Sequence, residues 1–529
     1  MFDGNENVIP FRYFSVCLFL AAIAVPLAYI LYTGHIWEDF FITFKFSRNL
    51  AEGRGLVYED GVRVHGFTSP LGTLIPSLCY LISGKSSYVP AIWVYRLLFC
   101  IPAFILSAVY LMKAMSISYA CTRIHIFFAA ILFLVETKSV IYSVNGMETA
   151  FMILFILMAF YYMNKDMRGK WLLSGISWAG IMWTRPDGFL FIAAIVLAWI
   201  IFNRKSIDRI FCLAVLKAAA VCTILYLPWF ISAWIYYGSP VPNTISAKSV
   251  LMADYSTWQY ISYSIMKLPY SVIWVFAPVY VQFFGWPSQV IYLGAFLGLV
   301  SFLFWILPSG DKISRSASLI FFLLCLYLSI MFFPYPWYYP PVAIFGIIAL
   351  VRAVPYVIGL LAIKSHATVS ISILGAIALF CLYIFIATSY EMRIQQRVIE
   401  NNHRAKIGEW FKGNMKPGER LYLECTGYVG YFSDAMVYDF PGLVSPQVTK
   451  AVREKHLGFA TVVPELKPDW VLARPFECLA LEQIQYFNDN YQLVKKFEVY
   501  DELEKIDYIP GEGYLLYDAA FYVFRKVKK

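Results

Sequence analysis

Apolar residues in the first 390 positions fall into long runs, and short polar or charged stretches separate these runs. A helix needs about 20 apolar residues to cross a hydrocarbon core about 30 Å thick. The pattern therefore predicts a polytopic α-helical membrane protein with about eleven transmembrane helices. The runs occupy residues 11–32, 90–112, 122–142, 147–163, 171–183, 188–202, 211–235, 286–308, 317–333, 341–363 and 367–389.

Some segments of this pattern do not fit an ordinary span. The runs 171–183 and 188–202 are short and Pro186 lies between them, so we expect two short helices that meet at an outer turn. Residues 69–84 would invert the scheme if they crossed, so a short helix that dips into the outer leaflet is expected there. The first run lacks a small-residue cleavage pattern, which predicts a retained helix.

Basic residues in alternate loops indicate the orientation, because cytoplasmic loops carry an excess of Lys and Arg. Such residues cluster at 165–170, 204–209 and 312–315, and Lys364 follows the same alternation. The other loops, and everything after about residue 390, are then predicted on the outer side. The outer loops contain the acids at 38–39 and the stretches "NGMETA", "TRPDG", "YYGSPVPNTISAK" and "PYPWYYPP".

Beyond residue 390 charges become frequent, and strand-like pieces alternate with helix-like pieces at 395–413 and 478–490. The strand-like pieces are "RLYLE", "MVYDF" and "DWVLAR". This alternation predicts a soluble α/β domain at 391–529, outside a transmembrane catalytic domain at 1–390. We interpret "GYVG", residues 427–430, as a tight turn after a strand, because no third glycine completes a dinucleotide-binding fingerprint.

Composition agrees with this picture and excludes several function classes. Hydrophobic residues make up 60% of the chain and charged residues 15%, which is too apolar for a soluble globule. The net charge of +9 comes from the orienting loops, so we expect membrane lipids and no nucleic acid as partners. The six histidines are scattered and no CxxC pair occurs, so neither a metal nor a cofactor is predicted. Most cysteines lie in apolar runs, which leaves Cys425 and Cys478 open for a disulfide.

The stretch "WEDFFITFKFSRNL", residues 37–50, carries the most unusual chemistry. Its polar residues recur at helical spacing from a start near Phe40, which predicts a helix along the membrane surface. Asp39 could serve only as a cap for this helix. A cap explains one acid, and Glu38 is beside it. We therefore expect Asp39 to orient and deprotonate a hydroxyl nucleophile, with Glu38 assisting.

These motifs together resemble the GT-C class of integral-membrane glycosyltransferases, which use polyprenyl-phosphate sugars and carry an acidic pair in the first outer loop. More narrowly, the chain is similar to the mycobacterial terminal arabinofuranosyltransferases and to the arabinosyltransferases that decorate pilins. The motifs that carry this resemblance, in order, are "EDFFITFKFSRNLAEGRGLVY", "HGFTSPLGTL", "NGMETA", "TRPDG", "YYGSPVPNTISAK" and "VYDFPGLVSP". Departures from the arabinan enzymes are the Glu-Asp order of the pair and the aromatic "PWYYPP".

The resemblance gives roles to charged residues in the outer loops. Arg185 and Lys248 are expected to hold the phosphate of the donor, because the leaving oxygen needs positive charge. A salt bridge from Arg185 to Asp187 or Glu148 is an alternative, and so is a headgroup contact for Lys248. Glu148 either begins a helix or binds the donor.

Uncharged outer residues are also expected at the donor. Asn243 and His65 could hydrogen-bond sugar hydroxyls, with a loop-structuring role as the alternative. Tyr338 and Tyr339, with Trp337, could form a platform for sugar or lipid, against an ordinary interfacial belt.

The resemblance implies an inverting transfer of a sugar, with arabinofuranose favoured. The donor is a polyprenyl-phosphate sugar, and the acceptor is a cell-envelope glycan or glycoprotein on the outer side of a bacterial cytoplasmic membrane. A polymerase or ligase that uses a diphosphate-linked glycan is an alternative. A lipid or sugar transporter is another, although no internal repeat supports it. A non-catalytic scaffold fits least, since the rare polar residues gather on one face.

Overall fold

The computed structural model describes residues 11–250, 255–331, 333–361 and 365–527, without the side chains of residues 11–15 and 250. Lys364 and the last two residues of the predicted outer domain lie outside this part. α-Helices, joined by loops and by short segments of other helix types, make up most of the chain up to residue 394 in the described part. They are α1 Phe11–Thr33, α2 Glu38–Ala51, α3 Pro70–Ile82, α4 Tyr88–Tyr95, α5 Ile101–Met115, α6 Arg123–Val135, α7 Thr137–Val144, α8 Thr149–Asn164, α9 Lys170–Thr184, α10 Gly188–Phe202, α11 Arg209–Tyr237, α12 Asn243–Val250, α13 Thr257–Ile273, α14 Ser288–Leu303, α15 Lys312–Ile330, α16 Pro340–Leu360 and α17 His366–Ile394.

Seven helical stretches in the described residues are long and apolar enough to cross a membrane. They are 16–33, 88–115, 209–237, 288–306, 312–330, 340–360 and 366–414. The pair α6 and α7, bent by 53°, makes an eighth if it is one span. The predicted multi-pass helical fold is confirmed. The number of spans by length is lower than the predicted eleven because helices such as α8 and α10 have only 16 and 15 residues.

The two short runs flanking Pro186 form separate helices, α9 and α10, which meet at a turn around Arg185. Residues 69–84 form the 13-residue helix α3, capped by the hydroxyl of Ser69, which accepts from Gly72 N–H at 2.9 Å. Proline at the first position favours this start.

The polar side of helix α2 is buried against protein rather than exposed to water. Lys45 is 2% exposed and its Nζ donates to the carbonyl of Gly430 at 3.0 Å. Arg48 pairs with Asp434 at 2.7 Å. The polar spacing was read correctly, but the partner of that face is the C-terminal domain rather than lipid headgroups and water.

After α17 the helix continues without a break through a wider-wound segment, residues 395–404, to residue 414. The elements that follow are α18 Ala405–Asn414, β1 Arg420–Leu423, α19 Thr426–Ser433, β2 Met436–Asp439, α20 Pro446–Lys455, α21 Phe459–Leu466, β3 Trp470–Ala473, α22 Pro475–Leu481, α23 Gln485–Asn490, β4 Tyr491–Glu498, α24 Tyr500–Glu504, α25 Glu512–Tyr517 and β5 Ala520–Lys526. The three predicted strand segments are present. Residues 478–490 form parts of two short helices, and "GYVG" lies in α19 rather than in a turn.

The region from Ala405 to Lys526 contains all five strands of the described part, and we call it the outer domain after its predicted side. Its sheet is mixed and has the order β2-β1-β3-β5-β4. Strand β1 is parallel to both neighbours, while β5 runs antiparallel to β3 and β4. The carboxyl ends of β2, β1 and β3 therefore lie at one edge of the sheet.

A shared hydrophobic core joins the outer domain to the membrane helices. Ile42 and Phe46 of α2, Trp229 of α11, and Val429 and Trp470 of the outer domain belong to one buried cluster. Aromatic pairs add to it on the other side of α2, where the ring of Phe41 lies 4.4 Å from that of Tyr428. The outer domain is therefore packed onto the start of α2, and this contact positions the acidic pair.

Candidate active site

The acidic pair occupies the first turn of α2, where a helix dipole favours negative charge. Trp37 holds the capping position, and no side chain makes a capping hydrogen bond there. The cap alternative for Asp39 is therefore not observed. Asn145 of "NGMETA" accepts a hydrogen bond from the Trp37 N–H at 2.9 Å. A Cβ at Gly146, where φ is +107°, would meet the ring of Phe40 at 2.6 Å, so this approach requires glycine.

Glu38 is held by the outer domain. Its Oε1 accepts from the backbone N–H of Gly427 at 2.6 Å, in the first turn of α19. The carboxylate thus lies at the positive end of a second helix. A Cβ at Gly427 would lie 2.2 Å from the carbonyl oxygen of Glu38, so glycine permits this contact. Burial raises the pKa of Glu38, and the charge of Arg404 opposes that rise.

Asp39 is half-buried, and burial raises the pKa of its carboxyl group. The ammonium of Lys248 opposes this rise most strongly among the neighbouring charges, and Glu424 adds to it. The structure therefore brings the predicted base and one predicted phosphate cation into the same electrostatic environment. A raised pKa makes the ionised carboxylate a stronger proton acceptor.

An aromatic strip connects the two predicted cations. Lys248 Nζ lies 4.7 Å from the ring centre of Tyr335, which stacks on Trp337 at 4.7 Å. Trp337 stacks in turn on Tyr338 at 6.2 Å, and the guanidinium of Arg185 lies 4.0 Å from the Tyr338 ring centre. Such cation–π contacts favour positive charge at each end. We call the set Tyr335, Trp337 and Tyr338 the aromatic strip.

Arg185 makes the ion pairs that the sequence analysis considered as its alternative role. Its Nε lies 2.9 Å from Asp187 Oδ1, and its Nη1 lies 3.6 Å from Glu148 Oε1. Glu148 directly precedes α8, but its side chain does not cap that helix. Tyr327 also donates to Asp187. The guanidinium is thus surrounded by two carboxylates and the ring of Tyr338.

A small cavity of about 10 Å³ lies beside Arg185. It is lined by Glu148, Thr149, Met152, Arg185, Phe191, Trp337, Tyr338 and Pro341. This volume is near that of a single water probe and is far too small for a sugar. A ligand at this end would require side chains to move.

Asn243 and His65 meet each other rather than the acidic pair. The side-chain amide of Asn243 donates to the carbonyls of Gly442 and Leu443 at 2.6 and 3.1 Å, and its backbone N–H donates to the carbonyl of His65 at 2.8 Å. The His65 ring stacks on Tyr237 at 4.8 Å, and burial lowers the pKa of His65 to about 4. These contacts join the start of α12 to the outer domain, as the loop-structuring alternative predicts.

Tyr339 lies in the helical core, separate from Tyr338. It is 2% exposed, and the ammonium of buried Lys138 lies 5.9 Å from its ring centre. Consecutive residues at the start of α16 point in different directions, so Tyr338 joins the strip and Tyr339 does not.

A group of charged residues that the sequence pattern did not reveal lies in the outer domain and acts on the acidic pair. Glu424 directly follows β1, and Arg474 directly follows β3. Arg404 lies on the long helix after α17 and pairs with Asp518 at 2.6 Å. The available signal was the position of Glu424 at the end of the strand-like piece "RLYLE", since ligand sites of α/β sheets lie at such ends.

Two features remain from the sequence, the cysteines Cys425 and Cys478 and the possible metal ligands. Cys425 and Cys478 are free and buried. Across the part of the chain that the structure describes, no group of three or more His, Cys, Asp or Glu side chains is arranged to hold a metal ion.

Solved structures with the same fold include the following two proteins. ArnT from Cupriavidus metallidurans, bound to undecaprenyl phosphate, is 13% identical with a TM-score of 0.56, covering 98% of this chain and 99% of that chain. The archaeal oligosaccharyltransferase AglB from Archaeoglobus fulgidus, in complex with an inhibitory peptide and a dolichol-phosphate, is 11% identical with a TM-score of 0.58, covering 93% and 74%. These likenesses confirm the expected GT-C fold, and at such identities they show the fold alone.

Further comparisons add little to the question of the sugar. The arabinofuranosyltransferase AftD from Mycobacteria is 13% identical, and the comparison covers all of this chain and 41% of the AftD chain. Its TM-score is 0.49, which is too low to support a conclusion about the sugar. A family described as a domain of unknown function, DUF8728, matches residues 390–521. No curated protein sequence matches the chain.

Proposed function

We propose that the protein is an inverting glycosyltransferase of the outer face of the bacterial cytoplasmic membrane. It transfers a sugar from a polyprenyl-phosphate donor to a hydroxyl group of a cell-envelope glycan or glycoprotein. The observation that carries the proposal is the half-buried carboxylate of Asp39 in the first turn of α2, together with the ammonium of Lys248, which lies over the aromatic strip and opposes the raised pKa of Asp39. The GT-C fold in which ArnT binds undecaprenyl phosphate supports the lipid donor.

Asp39 accepts the proton of the acceptor hydroxyl in this mechanism. The hydroxyl oxygen attacks the anomeric carbon while the bond from that carbon to the phosphate oxygen breaks. The polyprenyl phosphate leaves with the bonding electron pair, on the face opposite the attack, so the anomeric configuration inverts. Carboxylates beside the ring also stabilise the oxocarbenium character of the transition state.

Lys248 is the principal phosphate cation in this proposal. Among the described residues it makes no ion pair, and its ammonium lies over Tyr335. A phosphate bound there would offset the charge that opposes the raised pKa of Asp39. Donor binding would therefore make Asp39 a stronger base at the moment of transfer.

Arg185 has a different part. Its charge is already offset by Asp187 and Glu148 and covered by Tyr338. We assign Arg185 to holding Tyr338, which forms the far end of the platform for sugar and lipid. If Arg185 instead contacts the phosphate directly, its removal will weaken donor binding. Arabinofuranose is the favoured sugar, from the likeness of the outer-loop motifs.

The test is incubation of purified, monodisperse protein with synthetic polyprenyl-phosphate pentoses and hexoses, with the product sugar followed by NMR. We expect consumption of a monophosphate donor and an inverted anomeric configuration, both lost in Asp39→Asn. Consumption of only a polyprenyl-diphosphate glycan would favour the ligase alternative. Movement of intact donor across liposomes without cleavage would favour a transporter.

A further inference from the structure

The carboxyl edge of the outer domain's parallel strands meets the start of α2. Gly427, four residues after the last residue of β1, donates its N–H to Glu38 at 2.6 Å. Ligands of open α/β sheets bind outside this edge, where helix N-termini and strand ends converge. Two charged residues stand at it: Glu424 after β1 and Arg474 after the neighbouring strand β3.

Glu424 and Arg474 differ sharply in exposure. Arg474 Nη2 lies 2.8 Å from Glu424 Oε2, with side chains 4% and 44% exposed. The buried guanidinium is fixed by Asp518 at 2.7 Å and by Glu477 at 3.2 Å. A rigid, multiply paired arginine therefore orients a carboxylate that remains open to solvent.

The open carboxylate acts on the candidate active site. Burial raises the pKa values of Asp39, Glu38 and Tyr335, and the charge of Glu424 adds to each rise; on Tyr335 it is the largest of the charge effects. The opposing charges are Lys248 from α12 and Arg404 from the long helix. Glu424, three residues before the Gly427 that contacts Glu38, is thus a third carboxylate whose charge acts on the acidic pair.

We propose that Glu424 binds the acceptor and selects one whose reacting end is an uncharged polyhydroxyl group. The inference rests on the proposed function. Carboxylate oxygens accept hydrogen bonds from sugar hydroxyls, whereas three carboxylates on one side repel an acceptor that carries a carboxylate or phosphate near its reacting hydroxyl. The phosphate of the donor is accommodated at Lys248.

A matched acceptor pair tests this selection. Purified protein receives the donor that it consumes together with octyl glucoside or octyl glucuronide, which differ only in the charged group at one carbon. We expect the wild type to prefer the neutral acceptor, and Glu424→Gln to reduce that preference about threefold to tenfold, as for removal of one charge at a half-exposed site. Equal use of both acceptors by the wild type, or a ratio unchanged in Glu424→Gln, would overturn the proposal.

A second readout separates binding at the site from a structural role. The rate of sugar release to water is measured against pH, and the fall of this rate at low pH is called the acid limb. Glu424→Gln should shift the acid limb to lower pH, because one of the charges that raises the pKa of Asp39 is gone. Glu477→Gln is the control, since it removes another partner of Arg474 and should change neither the acceptor ratio nor the acid limb. Equal effects of the two variants would assign Glu424 to structure. Absence of sugar release from every donor in the wild type would instead refute the proposed function, and this inference with it.

Discussion

The two ends of the aromatic strip differ in the number of ion-pair partners that the described residues give to the cation at each end. At one end Arg185 is enclosed by Asp187, Glu148 and Tyr338, beside a cavity of about 10 Å³. At the other end Lys248 lies over Tyr335, and among the described residues it has no ion-pair partner. Both ends carry the same kind of cation–π contact, so residue type alone does not separate them.

The difference indicates which charges stabilise the fold and which are left for a ligand. The two carboxylates replace the water that the buried guanidinium of Arg185 lost on folding. Removal of one of these partners leaves a buried charge uncompensated. The half-exposed ammonium of Lys248 has no ion-pair partner among the described residues, so it can still bind an anion. The paired end should therefore respond to substitution in stability, and the unpaired end in affinity or rate.

Asp39→Asn should produce the largest effect, because it removes the proton acceptor and keeps the side-chain shape. Turnover should fall about 10²- to 10⁴-fold, as for the loss of a general base. Donor affinity should be retained, since the proposal assigns the phosphate to Lys248. Steady-state turnover and donor titration on monodisperse protein check both parts. Normal turnover would leave the acids as structural features of α2.

Asp187→Asn should act on stability instead. Arg185 keeps Glu148 but loses its closest partner, and the expected cost is about 1–3 kcal/mol, as for a buried charged hydrogen bond. Thermal unfolding in detergent measures it. Asp166→Asn is the matched control, because Asp166 is fully exposed and its ion pair with Lys170 is long, at 3.9 Å. Such exposed ion pairs contribute little to stability. Equal changes in the two variants would contradict a stabilising role for the Arg185 cluster.

Gly427→Ala should disturb the contact between the outer domain and Glu38. The added Cβ would meet the Glu38 carbonyl at 2.2 Å, so backbone must shift and turnover should fall about threefold to tenfold, as for overpacking of about 1 kcal/mol. Hydrogen exchange in α2 and α19 should rise. Gly413→Ala, which meets nothing within 4 Å, is the control. Unchanged turnover would separate the domain contact from catalysis.

Lys248→Met should shift the pH profile slightly, in the direction opposite to Glu424→Gln. Lys248 opposes the raised pKa of Asp39, so its removal raises that pKa further. The carboxylate is then protonated at a higher pH, and the acid limb of sugar release moves up. Rates measured across the acid range check the sign. A downward shift would mean that another group controls the limb.

The sequence predicted those parts of the molecule that follow from local pattern. Apolar runs gave the helices, and the polar spacing of residues 40–51 gave α2. Pattern could not show that Lys45 would face protein, because the carbonyl that accepts its hydrogen bond belongs to Gly430, 385 residues further along the chain. The same reason explains why the sequence did not show that the polar face of α2 packs against protein, while its place along the membrane surface stays a prediction.

Site residues divide in a similar way. Glu38 and Asp39 are adjacent in the first turn of α2, and the charge of Lys248 opposes the raised pKa of Asp39, so the grouping of these three residues at a donor site stays a prediction. Glu424 and Arg474 were missed, because single charges in a soluble domain carry no signal until strand order brings their ends to one edge. Tyr339 was grouped with Tyr338 from adjacency in the chain, although their rings lie on different sides.

The most direct measurement is the donor dissociation constant of two variants, compared side by side with the wild type. Lys248→Met removes the unpaired cation, and Arg185→Gln combined with Asp187→Asn removes the paired cation with its closest acid. We predict donor binding about 10- to 100-fold weaker for Lys248→Met, matching loss of a charged hydrogen bond of about 1.5–3 kcal/mol, and within about threefold of the wild type for the double variant. A larger loss in the double variant than in Lys248→Met would contradict the division of roles between the two ends.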